Sequence, residues 1–369
     1  WCASWIALLS LAQKPAWWKL AIHVAAFLAA LLTKETAVVL PIAVIVYLGI
    51  AAERRPSLRL PWLWIGWIAA LGLWWVLRAK ALAQTEAVPP MGERISETLG
   101  NLHVVLMHLG KVVFPYKLSV LAIREDTPWW PGLFAALMAV PLGLWLRGAS
   151  RELFVVGATW FLSAIVVTLP VSDYLILENR LYVPMIGALF MLLATWRQVL
   201  EKWGKRVRVP ALAVGGVAIA LLAFLSWSYS RAFASPDEFT QAAVTGSPHC
   251  ALAHLARGTV HHLRGETDQA EAHYREAIAL RATQSIAHNN LGLILMNRGE
   301  IEAAERELRA ELSINPNYDK AHTNLGLVLQ RKQQPDLAAE SFRQAVRINP
   351  NNVDALGELF AHHLQRGEE

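Results

Sequence analysis

Two short stretches in the first half of the chain have residue types and spacing that could do chemistry. Lys34 and Glu35 form a charged pair in Thr33-Lys34-Glu35-Thr36, an abrupt break between two apolar runs. Glu178, Arg180 and Tyr182 fall in Glu178-Asn179-Arg180-Leu181-Tyr182-Val183-Pro184, just after Asp173-Tyr174 and at the entry to another apolar run. An ionisable residue between or beside apolar runs is costly to hold and is by default a functional hypothesis. Lysine meets a phosphate as a point charge, and arginine offers a planar fork that matches phosphate oxygens. On that reading Lys34 and Arg180 hold a phosphate, while Glu35 and Glu178 orient them or touch a sugar hydroxyl. The plainer reading is a solvated turn with a self-neutralising pair, and a helix-start ion pair with Tyr174 and Tyr182 as interfacial anchors. A third set lies far downstream, where Asn290 and Asn324, each preceded by a polar residue (Asn289, Thr323), share one register. A row of amides can hydrogen-bond an extended peptide backbone, since each carries donors and an acceptor. Otherwise they are solvated helix residues.

The elements that must position these groups divide the chain. Its 369 residues are 55% hydrophobic and only 17% charged, but the apolar runs and 15 of the 16 tryptophans lie before Leu225. A bilayer crossing needs about 20 mostly apolar residues, and indole rings favour the headgroup zone. Eight runs qualify as candidate spans: Trp1–Ala12, Ala16–Leu32, Thr36–Ala52, Trp62–Leu77, Pro131–Leu146, Leu153–Leu169, Leu181–Thr195 and Pro210–Tyr229. Basic residues gather between them, as Lys14 with Lys19, as Arg54, Arg55 and Arg59, as Arg147 and Arg151, and as Arg197, Lys202, Lys205, Arg206 and Arg208 opposed only by Glu201. Placing all these loops in the cytoplasm gives a consistent topology. Thr33–Glu35, the long loop from Arg78 to Trp130, Val171–Arg180 and everything after Tyr229 then share the opposite face. The stretch Glu97–Phe114, with His103, His108 and Lys111, reads as an interfacial or re-entrant helix, since counting it as a span breaks the topology. The net charge of +5 belongs to these loops and does not point to nucleic acid. Cys2 and Cys250 sit in different parts of the chain and suggest neither a disulfide framework nor a metal site. Trp1 opens inside an apolar run, so the sequence reads as a fragment whose N-terminal portion is missing.

Beyond a linker over residues 230–250, the chain is self-similar at a step of 34. Ala253, Ala287, Ala321 and Ala355 follow that step, as do Gly258, Gly292 and Gly326. So do Ala270, Ala304 and Ala338; Tyr274, Leu308 and Phe342; and Pro316 with Pro350. Gly265, Gly299 and Gly367 share a register in which Gln333 fills the gap. The pattern resembles the tetratricopeptide repeat, a helix–turn–helix unit that stacks into a solenoid. Three units are complete over residues 251–369, and a fourth begins near Asn352. Asn290 and Asn324 then fall on the concave face of the first helices.

Three further stretches carry a wider resemblance. Leu31–Pro41 (LLTKETAVVLP), Val113–Val120 (VFPYKLSV) and Leu169–Gly187 (LPVSDYLILENRLYVPMIG) are similar, in order and spacing, to segments of multispanning O-mannosyltransferase-like membrane proteins that carry C-terminal tetratricopeptide repeats. The resemblance implies an all-α protein, with an N-terminally truncated transmembrane bundle of the GT-C type over residues 1–229 followed by the repeat α-solenoid. It also implies transfer of a hexose, mannose or another, from a polyprenyl-phosphate donor to protein Ser or Thr. No cofactor or metal is called for, since the lipid-phosphate sugar is the substrate. Lys34, Glu35, Glu178, Arg180 and Tyr182 would meet the donor, and the repeats would present the acceptor polypeptide. In that family the catalytic acidic residues lie in the first extracytoplasmic loop, which would precede Trp1, so the fragment itself is expected to be inactive. The expected location is a bacterial inner membrane, multi-pass, with the repeats extracytoplasmic. The alternatives are a non-catalytic membrane-anchored repeat scaffold for envelope complexes, or a ligase or polymerase of lipid-linked polysaccharide.

Overall fold

The computed structural model describes residues 2–13, 16–33, 37–38, 40–51, 61–82, 96, 99–114, 119–166 and 182–366. The described residues are overwhelmingly helical, with only an isolated bridge at Ile123 outside helices and turns. They divide into two compact units: residues 1–118 with 127–224, and residues 119–126 with 225–369.

The first unit holds helices α1 (Cys2–Gln13), α2 (Trp17–Thr33), α3 (Leu40–Ala51), α4 (Pro61–Leu82), α5 (His103–Val113), α6 (Trp130–Trp145), α7 (Gly148–Val166), α8 (Tyr182–Trp203) and most of α9 (Lys205–Ser230). Each of the eight expected runs is thus occupied by a helix. Two of these helices, over Pro61–Lys80 and Leu212–Phe233, are long and apolar enough to cross a membrane, while Trp17–Leu32 and Trp130–Trp145 are apolar but shorter. A bundle of eight spans therefore goes beyond what the helices establish. The eleven residues of α5 rise about 17 Å, roughly half of a hydrocarbon core, and bury Val104, Met107, His108 and Lys111.

Close backbone contacts organise this unit. A Cβ on Gly157 of α7 would lie 2.6 Å from the Gly187 carbonyl of α8, so the two backbones touch where both residues lack side chains. Small residues at such crossings let helices pack without a large apolar driving force. Gly187 is the last residue of the stretch Leu169–Gly187. Elsewhere in the unit Leu8, Phe27, Leu31, Leu40, Leu63, Trp67 and Trp160 form a common core. Inside it lies a polar knot: the Trp67 indole donates to His23 Nε2 at 3.0 Å, while His23 Nδ1 meets the Ser4 carbonyl at 2.7 Å. Both imidazole nitrogens are thereby satisfied in an apolar setting.

The second unit carries α10 (Pro236–Gly246), α11 (Ala251–Leu263), α12 (Thr267–Leu280), α13 (Ala287–Asn297), α14 (Ile301–Ile314), α15 (Asp319–Arg331), α16 (Pro335–Ile348) and α17 (Val353–Arg366). The expected linker over 230–250 thus contains a helix that packs on α11. Its start is written in the sequence: Ser235 accepts from the Glu238 amide at 3.2 Å, Pro236 opens the first turn, and Asp237 and Glu238 meet the helix N-terminus.

The step of 34 is a packing rule. Within each pair, the glycine of the first helix faces the large residue of the second. A Cβ on Gly258 would sit 2.8 Å from the Tyr274 ring, and one on Gly292 would sit 2.9 Å from Leu308. Tyr274, Leu308 and Phe342 are fully buried, as are Ala270 and Ala304. Pro316 and Pro350 follow closely on the ends of α14 at Ile314 and α16 at Ile348. In α17 the glycine register is filled by Phe360, which is 67% exposed.

Candidate peptide-binding groove

The inner face of the repeat unit is built by its first helices. Helices α13 and α15 pack on one another in addition to their own partners α14 and α16, which places them on the inside of the curve. Their positions are held by turns of one design. Gly265 and Gly299 end α11 and α13 with φ of 76° and 83°, and the next amides, of Glu266 and Glu300, reach back to His261 and Leu295 at 2.9 Å each. This is the left-handed helix stop that favours glycine. Gln333 adopts the same turn with φ of 61°, and Gln334 N reaches Leu329 O at 2.9 Å.

On this inner face the asparagines are wired together. Asn324 Nδ2 donates to Asn289 Oδ1 at 2.9 Å, and Asn289 Nδ2 donates to Asn290 Oδ1 at 3.1 Å. Asn289 is buried, whereas Asn290 and Asn324 are half-buried. The chain of amides therefore runs in one direction. It runs from Asn324, whose Oδ1 takes no part in the chain, to Asn290, whose amide also faces the Tyr274 hydroxyl. Asn290 and Asn324 do come together, as their register implied, but only through Asn289. Its role is invisible in the register because its counterparts there are Leu255 and Thr323. Apolar neighbours Leu293 and Leu327 flank the amides on the same helices. The arrangement suits an extended backbone, which needs donors and acceptors in alternation.

The groove rests on a second layer of polar contacts that sequence reasoning missed. Glu311 of α14 is fully buried and replaces the alanine found in register at Ala277 and Ala345. Its carboxylate accepts from the Ile286 amide at 2.8 and 2.9 Å and from Ser285 Oγ at 3.0 Å. Ile286 itself holds φ of 78°, so Glu311 clamps a strained residue at the start of α13. His288 Nδ1 pairs with Glu307 at 2.7 Å while its Nε2 meets the Ala282 carbonyl at 3.0 Å. The hydrogen bond it donates to Glu307 holds the His288 imidazole above its ordinary range.

One repeat earlier the same two positions are both histidine. His254 Nε2 meets the Pro248 carbonyl at 3.0 Å, and its Nδ1 faces His273 Nδ1 at 3.2 Å. With the His254 proton on Nε2, His273 must donate across that contact. His261 stacks on the other side of His273 at 5.3 Å between centroids and binds Glu266 at 2.5 Å. Burial, then His254, His261 and Arg257, push the His273 imidazole down to about 4. Among the described residues no three His, Cys, Asp or Glu side chains converge to hold a metal.

The donor-site residues stand differently. Lys34, Glu35, Glu178 and Arg180 lie outside the described residues, and of Tyr182 only the backbone is described, as the first residue of α8.

A tetratricopeptide-repeat profile matches residues 237–285 and 264–322, and a second such profile matches residues 319–352. Residues 237–352 are tetratricopeptide repeats. Solved structures similar to this unit include a crystal structure of MamA, at 22% identity over 38% of this chain and 84% of that chain, with a TM-score of 0.34. Pseudomonas aeruginosa pilF is similar at 24% identity over 40% of this chain and 66% of that chain, again with a TM-score of 0.34. The first repeat domain of Spaghetti (RPAP3) bound to the HSP90 peptide SRMEEVD matches at 20% identity over 32% of this chain and 93% of that chain, with a TM-score of 0.31. No curated protein matches the sequence.

Proposed function

We propose that this protein is a membrane-anchored repeat scaffold whose inner groove holds an extended segment of another polypeptide. The observation that carries the binding half is the directional amide chain Asn324–Asn289–Asn290 on the helices that line the groove. Tetratricopeptide repeats suit such a task because stacked units build a continuous inner surface. A photo-crosslinking residue placed at Asn290 of the full chain is expected to capture a polypeptide that the same residue at Arg343, an exposed position on α16, does not. Equal capture at the two positions would remove the groove from the reading.

Membrane anchoring is supported by α9. None of the span Leu212–Phe233, which begins in α9 and runs three residues past its end, is buried, and Leu212, Val214, Val217, Ile219, Leu221, Leu222 and Phe224 are each more than half exposed. Burying such side chains is worth roughly 1.5–3 kcal/mol each, so leaving seven of them in water forgoes on the order of 15 kcal/mol. A lipid surround removes that cost. The bias of the loop charges supports an extracytoplasmic position for the repeats, and on that reading an impermeant thiol reagent should label a cysteine at Gln344 from that side in intact cells.

The finer reading is a glycosyl transferase in which the repeats hold the acceptor over a polyprenyl-phosphate sugar. It rests on the order of the three motifs ending at Pro41, Val120 and Gly187. The acceptor hydroxyl would attack the anomeric carbon as the lipid phosphate leaves toward Lys34 and Arg180. Arg180→Ala in the full-length protein should then abolish sugar transfer in membranes supplied with donor, and unchanged transfer would leave the scaffold as the whole function.

A further inference from the structure

The repeat unit contains a segment that does not belong to it in sequence. Residues 119–126 group with residues 225–369, although the nearest of those residues follows about a hundred positions later. The segment reads Ser119-Val120-Leu121-Ala122-Ile123-Arg124-Glu125-Asp126, and it touches the turn between α10 and α11 at both of its ends. At one end Ser247 Oγ donates to Ser119 Oγ at 2.9 Å, in a buried contact across 128 positions. Gly246 permits that approach, since a Cβ there would lie 2.9 Å from the Ser119 Cβ and Oγ. At the other end both carboxylate oxygens of Asp126 are engaged. His249 N donates to Oδ2 at 3.0 Å, and His249 Nδ1 donates to Oδ1 at 2.6 Å. Between the two ends Ala122 and Ile123 are 2% and 1% exposed.

Each contact answers a need of the turn it covers. Ser247 caps the C-terminus of α10, and Cys250 caps the N-terminus of α11. The residues between the caps belong to neither helix, so their polar groups need partners from elsewhere. The Asp126 carboxylate supplies one to the His249 amide. It also favours the charged imidazole, and the Asp126 hydrogen bond is the largest cause raising His249, with Glu125 and Glu276 adding to it. The Asp126 side chain is only 8% exposed, whereas that of His249 is 65% exposed. The contact is thus a nearly buried acid held by a surface histidine.

We propose that residues 119–126 are a strap that completes the repeat array at its first turn, and that Gly246, Ser247 and His249 form a docking site for it. The site fits a short segment that offers a small hydroxyl residue, an apolar pair and a terminal acid, and its occupant is this chain's own Ser119–Asp126. The strap makes the repeat unit discontinuous in sequence. A repeat unit cut out at residue 225 loses a structural part, and α10 with α11 is the pair that suffers.

The test uses the full chain purified in detergent. Ser119→Cys with Ser247→Cys should form a disulfide within one copy under mild oxidation, read by mapping the linked peptides in the monomer band. Ser119→Cys alone should form none, which controls for Cys250. In parallel, Asp126→Ala should raise hydrogen exchange of the amides from Gly246 to His254 by about tenfold, the loss of two charge-assisted bonds, and leave α15 and α16 unchanged. Absence of the crosslink, a crosslink between two copies, or unchanged exchange at Gly246–His254 would each overturn the strap.

Discussion

Gln333 is the one residue of its register that works against its own backbone. It holds φ of 61° where Gly265 and Gly299 hold 76° and 83°. An L-residue in the left-handed region costs about 1–2 kcal/mol, and glycine does not bear that cost. Glycine in turn loses more freedom on folding, which returns roughly 0.5–1 kcal/mol of the gain. Gln333→Gly should therefore stabilise the third repeat by about 0.5–1 kcal/mol. The reverse change, Gly299→Gln, should destabilise the second repeat by the same amount, about 0.5–1 kcal/mol, since both turns make the same backbone bonds. Repeat arrays are stabilised locally and by nearest neighbours, so each effect should be confined to its own repeat and the next. Hydrogen exchange on the full chain reads this directly. Protection of the Gln334 amide, which reaches Leu329 O at 2.9 Å, should rise with Gln333→Gly by a factor of about two to five. A fall in that protection, or no loss at Glu300 in Gly299→Gln, would refute the claim that backbone conformation governs this register.

Three further outcomes follow from the packing and the charges. Glu311→Ala should destabilise the start of α13 by about 1–3 kcal/mol, because it removes the charged acceptor of the part-buried Ile286 amide and Ser285 hydroxyl; exchange of the Asn289 and Asn290 amides reports it. Gly326→Ala should cost about 1–3 kcal/mol, because the new methyl would overlap the Phe342 ring, and a thermal scan of the full chain should show the loss. His273 sits at about 4 against an ordinary 6.5, so its contribution to stability is complete above about 6.5 and fades as the pH falls toward 4. With screening allowed for, the loss is on the order of 1–2 kcal/mol and should centre on α11 and α12. His288 is shifted the other way, so its contribution fades as pH rises through its raised pKa. His273→Glu should make the first repeat resemble the second and remove its acid sensitivity, as followed by exchange at pH 5 and pH 7.

How much of this was legible in the sequence depended on whether the information was local or periodic. The repeat was readable because glycine, alanine and a large residue recur at a fixed step, and each recurrence is one contact copied. Gln333 announced itself as the exception in a glycine series and proved to be one. The helix over Pro236–Gly246 was missed because only its last turn approaches the repeat pattern, although Ser235 and Pro236 gave an adequate start signal. Glu311, Asn289 and the His254–His273 contact were not legible, since each differs from its counterparts one step away and its partner lies on another helix. The strap was out of reach for a stronger reason. Asp126 and His249 are separated by 123 positions, and nothing in either neighbourhood names the other. The donor-site residues Lys34, Glu35, Glu178 and Arg180 rest on residue chemistry and on the family resemblance.

Phe360 has a bearing on anyone who wishes to lengthen this solenoid. A helix laid on α17 in the manner of the three earlier pairs would have to occupy the volume of its ring, because the pairing is cut for a residue with no side chain at that spot. A copied repeat spliced in after α17 would arrive out of pitch, like a screw entering a thread whose first groove is blocked. Changing Phe360 to glycine before grafting clears the groove and continues the register of Gly258, Gly292 and Gly326.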